Sequence, residues 1–188
     1  MPVLVLASES PRRLDLLRQA GLEPDRIAPC NIDETPGRDE SARNLALRLA
    51  LEKAQAAHRP GQFTLGADTV VCVGLRILPK AETEAQARKC LALLSGRAHR
   101  VLSAVAVIGP DGKTARRLSE TRLHFKRLTD HEIEGYIASD EWRGKAGGYG
   151  VQGRAGAFVT ALSGSYTGVV GLPLYETLCL LDGLGYRR

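Results

Sequence analysis

Apolar runs and helically spaced apolar positions alternate along the chain, which predicts strands and helices in turn. Residues 3–7 form a short apolar run typical of a buried strand. Ser10 follows as an N-cap, with Pro11 at the first helical position, where its missing N–H costs no hydrogen bond. We expect Gly21 to end this helix. Further helices are predicted over 41–58, 83–96, 129–138 and 174–181, and further strands over 25–30, 63–73 and 157–162.

A β-hairpin is predicted in the middle of the chain, with strands over 99–108 and 114–125 joined by a turn at 110–113. Two capping boxes, Thr83-x-x-Gln86 and Thr129-x-x-Glu132, mark the starts of the helices on either side of this hairpin. Strands and helices alternate at both ends of the chain, so the expected fold is α/β, with a mixed sheet flanked by helices. The sequence contains no linker or internal repeat, and we expect one domain over residues 1–188.

Two segments depart from these regular patterns. The strand over 63–73 is expected to be interrupted at Gly66–Thr69, where Asp68 lies among apolar residues. The segment 145–153 is rich in glycine and is expected to be a loop that closely approaches another part of the molecule. Its residues 148–153 formally match the dinucleotide pattern G-x-G-x-x-G, but an apolar, strand-like segment follows where a helix is required. This argues against a dinucleotide site.

Composition narrows the class of partner. The 188 residues carry a net charge of +5, without a Lys/Arg-rich block, and include one Trp, five Tyr and three Phe. So few aromatic rings make a poor surface for stacking bases, and a small anion is favoured over nucleic acid. No apolar run approaches the roughly 18 residues of a membrane span, and no basic signal-peptide region is present. We expect a cytoplasmic protein with reduced, mostly buried thiols at Cys30, Cys72, Cys90 and Cys179.

Candidate chemistry begins at the turn between the first strand and the first helix. A helix N-terminus attracts phosphate, and Arg12 and Arg13 can hold phosphate oxygens through paired donors. The alternative is a surface helix with solvated arginines.

The acidic and basic candidates also have two interpretations each. A carboxylate at Asp68 is costly in a buried strand unless it is paired, hydrogen-bonded or bound to a metal, so it is either functional or a partner for a turn or a basic side chain. Asp33 and Glu34 offer the oxygen ligands that Mg²⁺ takes together with substrate phosphates, or they form a solvated loop. Lys53 and Lys80 are surface lysines by default.

Several ordered blocks resemble the Maf family of nucleoside triphosphate pyrophosphatases. The resemblance covers nearly the whole chain, and its segment 145–153 is similar to the K-A-G-x-Y-G-I-Q-G segment of the branch that hydrolyses dTTP and UTP. A sister branch that acts on 7-methyl-GTP has Glu where Gln152 stands. Two departures are that Pro79 precedes Lys80, whereas the family usually has Pro after it, and that Gly168 stands where Asn is frequent. The other matching blocks include Ser8-Glu9-Ser10-Pro11-Arg12-Arg13, Ile32-Asp33-Glu34, Leu49-Ala50-Leu51-Glu52-Lys53-Ala54 and Gly66-Ala67-Asp68-Thr69-Val70-Val71.

The resemblance implies a twisted sheet with two lobes around a deep cleft, similar to the ITP pyrophosphatases. It implies cleavage of dTTP and UTP, or of modified pyrimidine triphosphates, to the monophosphate and diphosphate with Mg²⁺ or Mn²⁺, by a homodimer. The alternative is a non-catalytic regulator of septum formation that binds nucleotide or nucleic acid. The implied roles are Asp68 as proton acceptor, Arg12, Thr69 and Gln152 in specificity, Ser8, Arg13, Lys53 and Lys80 in substrate binding, and Glu34 and Asp68 as metal ligands.

Overall fold

A computed structural model describes residues 2–187, so that Met1 and Arg188 of the expected 1–188 domain lie outside the described residues. Seven strands form the main sheet, in the order β2-β1-β3-β6-β7-β9 with β4 on β3, whereas β5 and β8 pair separately. β1 is parallel to β2 and β3, and the other strands of the main sheet pair in antiparallel fashion. The predicted mixed sheet is confirmed. The strands are β1 (Val3–Ala7), β2 (Arg26–Ile27), β3 (Gln62–Val73), β4 (Arg76–Leu78), β5 (Lys80–Ala81), β6 (Ala98–Ile108), β7 (Thr114–Phe125), β8 (Lys145–Ala146) and β9 (Val159–Ser163).

The five predicted helices are all present, and the structure adds a short one, α5. Both predicted capping boxes are formed, at Thr83 and at Thr129. Ser10 occupies the N-cap position of α1, but among the described residues its hydroxyl accepts no hydrogen bond from the helix. The helices are α1 (Pro11–Gln19), α2 (Ala42–Ala57), α3 (Glu84–Leu94), α4 (Asp130–Ile137), α5 (Tyr166–Val170) and α6 (Leu174–Gly183), with a 3-10 turn over Arg154–Phe158.

The two faces of the main sheet bury different clusters. Helix α2 covers one face, where Leu45 and Leu49 pack with Val70 and Leu102. The other face carries the larger cluster, in which Leu65 and residues of α1, α3 and α6 are joined by buried aromatic rings. Because side chains alternate along a strand, Asp68 lies on the α2 face of β3, whereas Thr69 lies on the opposite face.

The expected interruption of β3 at Gly66–Thr69 was wrong. Pairing with β6 continues from Thr64 to Cys72 without a break. Gly66 has a packing role instead, since a Cβ there would lie 2.3 Å from the carbonyl oxygen of Ala50 and 2.6 Å from the amide nitrogen of Ala54. The glycine therefore lets α2 approach the strand closely.

Two predicted strands are shorter than expected. The strand over 25–30 is reduced to Arg26–Ile27, since Pro29 has no N–H to continue the ladder after Ala28 donates to the carbonyl of Leu6. The strand over 157–162 begins only at Val159 because the 3-10 turn precedes it. The hairpin of β6 and β7 is formed as predicted.

The four thiols are free, as expected, but they are not mostly buried. Cys72 and Cys90 are buried and Cys30 is half-buried, whereas Cys179 is exposed. Cys179 lies one helical turn after the exposed Tyr175, on the outer face of α6. Among the described residues, no helix is long and apolar enough to cross a membrane.

Candidate active site

A cavity of about 430 Å³ lies between the main sheet and the small sheet of β5 and β8. Strand β1 runs into it, because Ala7 pairs with Gly66 and the next residue, Ser8, enters beside the middle of β3. Strand β5 and the glycine-rich segment form the opposite wall. The nine residues to which the family resemblance assigns a role all line this cavity: Ser8, Arg12, Arg13, Glu34, Lys53, Asp68, Thr69, Lys80 and Gln152.

A network of two lysines and two carboxylates occupies one end of the cavity. The Nζ atom of Lys53 lies 2.7 Å from Oδ1 of Asp68 and 2.6 Å from Oε1 of Glu34. Lys80 donates to the other oxygen of Glu34. Lys53 and Asp68 are buried, and Lys80 is half-exposed. The two carboxylates are thus held close together because Lys53 lies between them.

Glu34 remains ionised down to strongly acidic pH. Burial alone would raise the pKa of this carboxyl, but its hydrogen bonds to Lys53 and Lys80 and their charges outweigh burial and lower the pKa to about 2. Its neighbour Asp33 is exposed and accepts a hydrogen bond from the backbone N–H of Thr35 at 2.9 Å, without lining the cavity. Of the acidic pair in this loop, only Glu34 therefore lines the cavity.

Two arginines from the first turn of α1 form the floor of the cavity. Arg13 is held in place because its Nε donates to the carbonyl oxygen of Gly171 at 2.9 Å and its Nη1 donates to the hydroxyl of Ser8 at 3.0 Å. Burial lowers the pKa of Arg13, opposed by the charges of Asp68 and Glu34 and reinforced by that of Arg12. Burial also lowers the pKa of Arg12. Such partly desolvated cations attract an anionic ligand strongly.

Thr69 lines the cavity, and its hydroxyl contacts Ser103 on the neighbouring strand β6. The Ser103 hydroxyl lies 3.1 Å from Oγ1 of Thr69 and donates to the carbonyl oxygen of Gly168 at 2.5 Å. The Ser103 hydroxyl is the donor to both oxygens, so the proton of the Thr69 hydroxyl is left for a ligand. The backbone of Gly168 thus orients Thr69, although this position carries no side chain.

The glycine-rich segment packs as closely as its composition predicts. A Cβ at Gly147, whose φ is +68°, would lie 2.9 Å from a side-chain carbon of Val71. The segment is also anchored by buried hydroxyls, since Tyr136 accepts from the N–H of Gly150 at 3.2 Å and Tyr149 lies 2.7 Å from Nε2 of His99. A 3-10 turn and then a strand follow this segment, whereas a dinucleotide site needs a helix at this place.

The comparison with known proteins identifies the family. The family model described as Maf-like protein matches residues 3–184. The chain belongs to the Maf family. It is 69% identical over 188 residues to the dTTP/UTP pyrophosphatase of Caulobacter vibrioides, covering 99% of this chain and 97% of that one. It is 61% identical to the dTTP/UTP pyrophosphatase of Mesorhizobium japonicum, covering 98% and 92% of the two chains. Among solved structures, the nucleoside-triphosphatase / dITP/XTP pyrophosphatase of Mycobacterium abscessus is 21% identical, with a TM-score of 0.43 over 66% of this chain and 74% of that one.

The two departures of this Maf sequence leave the site intact. Pro79 precedes Lys80, and Lys80 still lines the cavity and bonds to Glu34. Gly168 contributes backbone groups only, to Ser103 and to the hydroxyl of Ser165.

Sequence reasoning missed several side chains that line the Maf cavity, among them Cys30, Lys145 and Tyr149. Cys30 is near the network, and its Sγ lies 3.5 Å from the carbonyl oxygen of Lys53. Burial raises the pKa of this thiol. For Lys145 a signal existed, because it is the one charged residue at the start of the glycine-rich segment.

The residues present suit a metal that arrives with the substrate. Among residues 2–187, no group of three His, Cys, Asp or Glu side chains is arranged to hold a metal ion. Glu34 and Asp68 supply two carboxylates that Lys53 holds together. Mg²⁺ commonly uses one or two protein carboxylates together with phosphate oxygens and water, so this donor set fits it.

Proposed function

We propose that this Maf protein hydrolyses UTP and dTTP to the nucleoside monophosphate and diphosphate. The observation that supports this most is the meeting of Arg12, Arg13 and Lys80 with the Lys53–Asp68 pair in one cavity. Cleavage between the α and β phosphates needs cations for the leaving diphosphate and a base for the attacking water. Both kinds of group are present.

The cations bind the triphosphate and stabilise the charge that develops on the leaving group. Arg13 is pre-oriented by Gly171 and Ser8, so its guanidinium loses little freedom when it binds an anion. Arg12 comes from the same helical turn, and Lys80 approaches from the opposite wall. The positive end of the α1 dipole points at the same ligand.

Asp68 takes the proton of the water that attacks the α phosphorus. Lys53 engages its Oδ1, which fixes the carboxylate, and we assign the proton to Oδ2. The buried surroundings exclude bulk water from this exchange. Lys53 therefore acts as a positioning residue for Asp68 and Glu34 as well as a cation near the phosphates.

The nucleobase is recognised by a different part of the cavity lining from the part that cleaves the anhydride. The Gln152 amide both donates and accepts, so it can pair with the N3–H and a neighbouring carbonyl that uracil and thymine share. Thr69 presents a hydroxyl, and Arg12 completes this specificity set. A glutamate in place of Gln152 would accept only, which suits the donor edge of guanine.

Glu34 and Asp68 would hold the divalent cation, Mg²⁺ or Mn²⁺. When bound, such a cation polarises phosphate oxygens and lowers the pKa of bound water. Before substrate binds, Lys53 and Lys80 neutralise the two carboxylates.

The organisation of the protein is part of the proposal. We place the activity in one domain of residues 1–188, acting as a homodimer in the cytoplasm, on the family resemblance. Light scattering on the purified protein would give twice the chain mass for a homodimer and the chain mass for a monomer.

Pyrophosphate release over a nucleotide panel tests the function. Purified protein is incubated with UTP, dTTP, CTP, GTP and ATP, each with Mg²⁺, with Mn²⁺ or with EDTA. We expect release from UTP and dTTP that depends on the cation. Nucleotide binding without release would favour the non-catalytic regulator, and a steep salt dependence of binding to DNA or RNA would favour a nucleic-acid partner.

A further inference from the structure

Lys145 lies in the cavity beside Gln152 without a role in the reaction as proposed. Gly150 separates the two side chains, and a Cβ there would lie 3.0 Å from Cε of Lys145 and 3.1 Å from Nε2 of Gln152. The aliphatic stem of Lys145 and the side-chain amide of Gln152 therefore both lie close to the Cα atom of Gly150. Because position 150 is glycine, both side chains can occupy this space.

The ammonium of Lys145 has hydrogen-bonding capacity to spare. It donates to the backbone carbonyl oxygen of Glu141, which is an uncharged acceptor. An ammonium carries three N–H donors, so two are left for a ligand in the cavity. Lys53 differs in this respect, because two carboxylates, those of Glu34 and Asp68, engage its ammonium.

The position of Lys145 favours contact with the nucleobase rather than with the phosphates. Burial lowers the pKa of Lys145, the charge of Arg12 lowers it further, and Glu141 opposes them. The stem of Lys145 lies across Gly150 from the amide of Gln152, whereas the Lys53–Asp68 pair lies at the end of the cavity where the anhydride is cleaved. Lys145 is thus grouped by geometry with Gln152, a residue assigned to selection of the nucleobase.

Uracil and thymine present two carbonyl acceptors on either side of one N–H donor. One primary amide can satisfy the N–H and one adjacent carbonyl, which leaves the second carbonyl without a donor. We propose that Lys145 donates a hydrogen bond to this second carbonyl and is a specificity-determining residue of the site. The proposal rests on the proposed function, in which Gln152 contacts the base.

The test compares a complete nucleotide with its phosphates alone, by titration calorimetry. The probes are the non-hydrolysable α,β-imido analogue of UTP and inorganic tripolyphosphate, each with Mg²⁺. A hydrogen bond from a charged donor is worth a factor of about 10 to 100, so Lys145→Met should weaken binding of the UTP analogue by that factor and change tripolyphosphate binding less than about twofold. Lys145→Gln keeps a donor and should lose less. The exposed Lys89, on α3, provides the control Lys89→Met, for which both affinities should stay at the wild-type value.

Equal losses for both probes would overturn the proposal, because Lys145 would then contact phosphate. Unchanged affinity for both probes in the folded variants would overturn it too. UTP turnover by the wild type is measured separately. If the wild type releases no pyrophosphate but Lys145→Met selectively weakens the UTP analogue, the proposed function fails and Lys145 still contacts the base. If the wild type is active and the losses are equal, only the role of Lys145 fails.

Discussion

The Nζ atom of Lys53 lies 2.7 Å from Oδ1 of Asp68, and both side chains are more than nine-tenths buried. Lys53 comes from α2 and Asp68 from the face of β3 that α2 covers. Removing one member of such a pair leaves an uncompensated buried charge, which is more costly than losing the pair altogether.

Lys53→Met should therefore lower the free energy of unfolding by about 3 kcal/mol at pH 7, measured by urea denaturation. The double variant Lys53→Met/Asp68→Asn should recover most of this stability without recovering activity. A single variant as stable as the wild type would show that the pair is not a structural element.

Asp68→Asn should lower kcat by a factor of about 10² to 10⁴, the usual worth of a general base, while the UTP analogue still binds. The matched control is Asp33→Asn, because Asp33 is a carboxylate of the neighbouring loop that bonds only locally to Thr35. Steady-state kinetics with UTP should show wild-type kcat for that control. Turnover retained by Asp68→Asn would mean that another group accepts the proton.

The sequence predicts local structure well where the signals lie within a few residues. The capping boxes at Thr83 and Thr129 and the hairpin of β6 and β7 are formed as predicted. The continuity of β3 was missed, because Gly66 is typical of an interruption when only its neighbours in sequence are considered. The actual reason for a glycine at position 66 is the close approach of Ala50, which only the tertiary structure reveals.

The same limit applies to the site. The residue types and the family resemblance single out Glu34 and Lys80, but 46 residues separate them, and nothing in their local sequence predicts that they bond to each other. The charge of Lys145 was a signal within the glycine-rich segment, but its place beside Gln152 depends on what lies across Gly150, which only the tertiary structure reveals.

Gly66→Ala should destabilise the protein severely, by roughly 3 kcal/mol or more, because overpacking against backbone cannot be relieved by a rotamer change. It should also lower activity, since α2 carries Lys53. Gly135→Ala is the control, because Gly135 lies inside α4. Apart from the adjoining helix, no atom of the described residues lies within 4 Å of a Cβ added at this position. That change should stabilise the protein by about 0.5–1 kcal/mol in thermal or urea unfolding. Equal effects of the two substitutions would contradict the packing role of Gly66.

Stability should fall in mild acid because of His99. Burial lowers the pKa of this buried imidazole from 6.5 to about 4, so the unfolded chain binds a proton that the folded chain does not. The contribution is therefore complete above pH 6.5 and is lost as the pH falls through about 4, with a total of about 3 kcal/mol. Urea denaturation at several pH values should show a shallower pH dependence between 6.5 and 4 for His99→Gln than for the wild type. Parallel curves would mean that His99 is solvated in the folded protein.

The most direct measurement of the central claim is the fate of oxygen during UTP hydrolysis in ¹⁸O-labelled water with Mg²⁺. Attack of water on the α phosphorus, with Asp68 as base, predicts equal amounts of UMP and pyrophosphate, with the label in UMP. Label in pyrophosphate would place the attack on the β phosphorus. Products of UDP and phosphate, or no turnover at all, would contradict the proposed function itself.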